Sequence, residues 1–374
     1  MRIMFGDLRI GESARKYVLA ALDKNWVSEG ENVREFEREF AEKFGYRHCV
    51  ATSSGTDAVI CCCASLYDFG AKRGDEIIVP AVTFVASANA ILAAGFLPRF
   101  VDVEVDTLNI DPAKIEAAVN DRTRAIMAVH LMGKPCDMDI ITEIASEHGL
   151  MIIEDACEAH GARYKDKVVG SIGDMGAFSF YAAHVVVAGE GGMIVTDSDE
   201  VADVVRSVKS HGRPAGSIYF DFQRIGFNSR MNELTAAVGL EGLERFDESF
   251  KKRKYNVYKL LKLTEDLADY CYFIKEEPYE RVSPHAFPVV LKDEKYDCSK
   301  LYAYLESKSI QCKTLFGSLP TQHDAFRFMG HRPGDFPAAE YVGRNGLHFG
   351  IHQYLTDDDL EYISDTLKSY FQNI

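Results

Sequence analysis

Residues 151–156 read Met-Ile-Ile-Glu-Asp-Ala, an apolar run closing on two carboxylates. A continuous apolar run fits a strand covered on both faces, as strands of parallel sheets are. Asp155 then stands at the rim of the sheet, the edge where open α/β sheets bind ligands. A carboxylate there would hold a protonated pyridine ring in its charged form, because opposite charges favour each other. It would equally serve to cap the turn that follows, and these six residues leave both readings open.

Working outward, strand-like runs at 48–51, 76–80, 99–102 and 125–130 precede this one, and others follow at 177–181 and 193–196. Helical stretches at 57–66, 86–94, 112–119 and 138–148 lie between them. The alternation predicts a mostly parallel, mixed sheet sandwiched by helices, with right-handed crossovers. From 232 to 251 the pattern is that of an amphipathic helix, which leads into a part mixing helices with short strands such as 286–291. A chain of 374 residues exceeds one small core. Two domains are expected: residues 1–249, and a smaller α+β domain over 250–374.

Composition removes several classes of function. The net charge of −15 disfavours nucleic acid or an anionic membrane surface as partner. No apolar run approaches the roughly 20 residues that span a bilayer. The opening Met-Arg-Ile-Met-Phe-Gly-Asp lacks a signal-peptide pattern, so a cytoplasmic location is expected. Of nine cysteines, Cys61, Cys62 and Cys63 are consecutive and none shows C-x-x-C spacing, so no metal site is expected.

Two further stretches carry chemistry. Residues 52–57, Thr-Ser-Ser-Gly-Thr-Asp, join a strand to a helix; such a turn presents backbone N–H groups and a positive dipole end to a phosphate, or is an ordinary helix cap. Residues 174–184 form a strand leading to a polar turn that ends in His184, and Gly189-Glu190-Gly191-Gly192 then returns the chain. Taken singly, a histidine such as His184 is more often structural than catalytic.

In order and spacing these motifs resemble the DegT/DnrJ/EryC1/StrS sugar aminotransferases, on the fold-type I pyridoxal-phosphate scaffold. The likeness extends to Trp26–Gly30, to Val79-Pro80-Ala81-Val82-Thr83-Phe84, and to Asp102-Val103 with Thr107–Asp111. It continues through His130–Gly133, Asp155–Gly161 and Gly226–Leu234. The resemblance implies that Gly55, Thr56 and Ser179 hold the phosphate of pyridoxal 5'-phosphate. It implies that Phe84 stacks on the ring, that Asp155 pairs with the ring nitrogen, and that His160 supports that contact. Glu158 would also face the cofactor, and Asn228 would reach the phosphate from a neighbouring subunit, making a homodimer with shared sites. The sugar would be met by variable positions, among them Trp26, Arg213, Phe316 and His323.

One departure stands out. The family's cofactor-linking lysine is expected about 29 residues after the Asp, where this chain has His184, and no lysine lies between Lys167 and Lys209. Lys134 would replace it only from an unusual loop position. A minority branch, the 4-keto-6-deoxysugar 3-dehydratases, shares this exchange, and Glu158 and His352-Gln353 resemble it too. Those enzymes carry a second histidine directly after the first, whereas position 185 is Val. The resulting expectation is transfer of an amino group from glutamate to a keto sugar of surface polysaccharide or lipopolysaccharide synthesis. The sugar would be nucleotide-linked or an oxidised 3-deoxy-octulosonate, pyridoxamine phosphate the intermediate form, and His184 the base, since its pKa lies near working pH. A 3-dehydratase and a non-catalytic cofactor-binding relic are the alternatives.

Overall fold

The computed structural model describes every residue except 215, 217, 294, 373 and 374. Its main sheet has seven strands: β1 His48–Thr52, β2 Glu76–Pro80, β3 Leu97–Val101, β4 Thr123–Val129, β5 Met151–Asp155, β6 Met175–Ser179 and β7 Gly192–Thr196. They lie in the order β1-β7-β6-β5-β4-β2-β3. Pairings from β3 to β6 are parallel, and β7 runs antiparallel to both β6 and β1. The mixed parallel sheet read from the sequence is therefore present, and β2 and β5 keep their expected bounds. Apolar side chains on both faces enter buried clusters, which is why these strands read as unbroken apolar runs rather than alternating ones.

Residues beyond 270 build a second, antiparallel sheet of β8 Cys271–Tyr272, β9 Ala286–Leu291, β10 Cys312–Thr314 and β11 Gly346–Gly350, in the order β8-β9-β11-β10. The single helix expected over 232–251 is instead two, Glu233–Glu244 and Phe246–Leu263. Arg245 between them, at φ −89° and ψ −2°, lies in the bridge region and turns the chain from one helix into the next. The second of these helices carries Arg253 to the underside of the site.

Candidate active site

A cavity of about 430 Å³ opens at the carboxyl ends of β1, β2, β4, β5 and β6, and the second sheet closes its far wall. At one end lies the turn after β1. Ser54 caps the helix Gly55–Ser65, its Oγ accepting from the Asp57 N–H at 3.0 Å. Asp57 in turn accepts hydroxyls from Ser53, Ser54 and Ser229, which pins the turn. A Cβ on Gly55 would fall 2.5 Å from the Ser179 Cβ, so only glycine lets the helix start sit against Ser179. The result is a cradle of backbone N–H groups beside a hydroxyl, suited to a phosphate.

The carboxylates of β5 separate by the strand's alternation. Glu154 is fully buried and spent on structure, accepting N–H groups from Gly170, Ile172 and Gly173 at 2.7 Å each. Asp155 faces the cavity. Its Oδ2 accepts from Ser87 Oγ at 2.7 Å, and Ser87 shares a second 2.7 Å bond with Thr83. The expected support from His160 is not made. That ring lies against Phe178 and Phe180, centroids 5.4 and 5.7 Å away, and neither of its nitrogens has a hydrogen-bond partner. The aromatic pocket built with Phe40 takes the imidazole as an apolar ring, and burial holds it well below its usual pKa.

At the other end His184 lines the cavity, and it is not alone. His285, next to β9, brings its Nδ1 to 3.4 Å from His184 Nδ1, with ring centroids 5.0 Å apart. His285 Nε2 lies 3.4 Å from Glu158 Oε1, while Glu158 Oε2 accepts the Met132 N–H at 2.7 Å. Burial pushes the Glu158 carboxyl up to about 7. Burial, and after it the charge of Arg253, push the His184 imidazole down to about 3; burial, then His184 and Arg253, hold His285 well below its usual value. Both rings are therefore neutral near pH 7, and the expectation that His184 titrates near working pH is corrected: burial moves it well below that range. The solitary histidine expected from Val185 is corrected: the second ring comes from elsewhere in the chain.

Lys134 is out of reach, buried and paired with Glu280 and the Lys275 carbonyl. Among the residues of the cavity wall the lysine is Lys313, its ammonium 4.5 Å from the Phe5 ring centroid. Gly55, Thr56, Phe84 and Phe316 also line the cavity, and the rings of Phe84 and Phe316 approach to 5.6 Å. Trp26, Arg213 and His323 do not line it. Nor does Asn228, whose Oδ1 accepts from Arg230 at 3.0 and 3.2 Å. Sequence reading missed Ser87, His285, Arg253 and Lys313. Ser87 follows the quoted Val79–Phe84 motif, which holds its partner Thr83, but neither it nor the others carry a local signal.

A mixed parallel sheet with a phosphate cradle after its first strand, and a carboxylate ending a central one, defines the fold-type I class of pyridoxal-phosphate enzymes. The chain belongs to the DegT/DnrJ/EryC1/StrS aminotransferase family, whose model matches residues 8–368. It is similar to a GDP-perosamine synthase of Caulobacter vibrioides, 43% identical over 254 residues, 68% of this chain and 67% of that one. Among solved structures it resembles Helicobacter pylori PseC, an aminotransferase involved in the biosynthesis of pseudoaminic acid, with a TM-score of 0.92, 25% identity and 100% of each chain covered. It also resembles the E. coli GDP-4-keto-6-deoxy-D-mannose-3-dehydratase with bound hydrated PLP, with a TM-score of 0.89, 29% identity and 98% and 99% of the two chains covered. Pyridoxal phosphate is the cofactor, and the cradle, the cavity and the Asp155 carboxylate fit it.

Proposed function

We propose that this chain transfers an amino group from glutamate to a keto sugar, with His184 moving the proton and the cofactor held without a covalent link. Gly55, Thr56 and Ser179 would hold the phosphate of pyridoxal phosphate, Asp155, fixed by Ser87, would favour a protonated ring nitrogen, and Phe84 would stand on the ring's side of the cavity; the cofactor would supply an aldehyde and an electron-drawing ring. His184 accepts the proton from the donor carbon and returns it to the acceptor.

The observation that carries this reading is a neutral imidazole in the cavity wall at position 184, where the family's lysine is expected. A neutral ring is competent as a base without first shedding a proton. Transamination is favoured over loss of water by the 43% identity with a protein named GDP-perosamine synthase. A second reading, removal of the 3-hydroxyl of a 4-keto sugar, is favoured by the His184–His285 pair and by the likeness to the 3-dehydratase. Mass analysis of products from keto sugars with glutamate separates them. Oxygen replaced by an amine, with one 2-oxoglutarate per amine, is expected; oxygen lost, with free ammonia, would establish the second reading instead.

The working unit in this reading is a cytoplasmic homodimer. Ile218, Tyr219, Phe220 and Ile225 are 84, 73, 80 and 83% exposed on the segment leading to Asn228, an apolar surface suited to a second copy. Mixing Asp155→Ala with Asn228→Ala chains should restore part of the activity if Asn228 serves the partner's site. No recovery in verified mixed dimers would remove it from that role.

A further inference from the structure

We propose that His285 is a positioning residue of the proton-moving end: it takes from His184 the proton that His184 would otherwise have to store, and passes it to Glu158. This rests on the reading of His184 as the base. An imidazole that gains a proton at one nitrogen returns to neutrality by losing one from the other. The partner of His184 Nδ1 is His285 Nδ1 at 3.4 Å. Two such nitrogens face each other favourably only when one donates and the other accepts, so the two rings hold complementary tautomers. Beyond them Glu158 Oε1 waits 3.4 Å from His285 Nε2, while Oε2 is tied to the Met132 N–H.

The proton count closes. The substrate C–H bond breaks, its electron pair staying with the carbon and its proton going to His184 Nε2. The Nδ1 proton of His184 moves to His285 Nδ1, and the Nε2 proton of His285 moves to Glu158 Oε1. Both rings end neutral with tautomers inverted, and the reverse sequence returns the proton to the next acceptor carbon. Burial suits Glu158 to this part, since it pushes the carboxyl up to about 7 and so favours uptake of a proton.

Arg253 explains why the pair stays together although its members are 101 positions apart. This buried guanidinium donates to the carbonyls of Ala183 at 3.3 Å, His184 at 3.0 Å and His285 at 3.4 Å, and to Gln353 Oε1 at 2.9 Å. One side chain thus clamps both histidine-bearing segments. Its positive charge also disfavours a proton resting on either ring, so a proton arriving there is passed on.

The test uses the full chain loaded with cofactor and, separately, the cofactor-free chain. In His285→Asn a side-chain amide still meets His184 Nδ1 but passes no proton. The half-reaction with glutamate should slow about tenfold or more, the usual lower range for a lost proton-transfer group being higher still. Glu158→Gln should act alike, the double variant should lose no more than either, and cofactor affinity should stay within about twofold. Independently, ¹⁵N-histidine NMR of the cofactor-free chain should show complementary tautomers for His184 and His285, and the His184 Nδ1 signal should shift in His285→Phe. A normal half-reaction in His285→Asn, or identical tautomers, overturns the relay. If His184→Phe abolishes the half-reaction while His285→Asn is normal, only the relay fails. If His184→Phe is itself normal, the reading of the base has failed.

Discussion

The two ends of the cavity are built differently. The end that would hold the cofactor comes from the turn directly after β1, the last residue of β5 and the close of β6, each a few residues long. The end that would move protons comes from His184, His285, Glu158 and Arg253, drawn from the polar turn, the approach to β9, the turn after β5 and the helix beneath them. An anion cradle is a property of one helix start and can be written in six consecutive residues. A chain of titratable groups needs partners on several sides, and only tertiary packing supplies them. The first end should therefore fail in binding when altered, and the second in rate or stability.

Four substitutions or conditions test that division, taken from the largest effect. His184→Phe should slow the half-reaction with glutamate by on the order of 10²–10⁴ while leaving cofactor affinity unchanged, followed by stopped-flow absorbance. Weakened cofactor binding with an unchanged rate would reverse the roles of the two ends. Gly55→Val should do the opposite. Its side chain enters the space of Ser179, and losing one or two charge-assisted bonds raises the cofactor Kd roughly ten- to a hundredfold by titration. Undiminished binding would place the phosphate elsewhere.

Arg253→Met should leave buried carbonyls of Ala183, His184 and His285 without their donor, costing about 1–3 kcal/mol. Urea unfolding of the cofactor-free chain reads this, and an unchanged midpoint would mean that the clamp is redundant.

The smallest effect is that of pH. Burial lowers His184 and His348 to about 3 and His352 to about 4. Between those values and about 6.5 the unfolded chain binds protons that the folded chain does not, so stability falls as pH drops through that window. Glu158 acts in the opposite sense, its contribution being present below about 4.5 and lost as pH rises through about 7. His160 and His285, also held well below their usual values by burial, act in the same sense as these three, so five imidazoles outweigh this carboxyl and the thermal midpoint should fall from pH 7 to pH 5. A rise would show that the histidines are charged in the folded chain.

What could be read beforehand follows the same division. β5 with its terminal Asp155, and the turn carrying Gly55 and Thr56, obey local rules of burial and helix capping, so their sequence sufficed. Ser87 is 68 positions from the carboxylate it supports, and nothing in a run of small residues marks it. His160 misled for the opposite reason: its short distance from Asp155 suggested contact, but Phe178 and Phe180 offered a closer fit to its ring. His285 and Arg253 belong to segments whose place over the cavity depends on how the second sheet docks.

The claim that His184 stands in for a linking lysine is tested most directly by borohydride reduction of the chain incubated with pyridoxal phosphate, followed by intact and peptide mass analysis. The account predicts an unmodified chain and released reduced cofactor. Stoichiometric cofactor on a lysine, with Lys313 in the cavity wall the residue to look at, would contradict it.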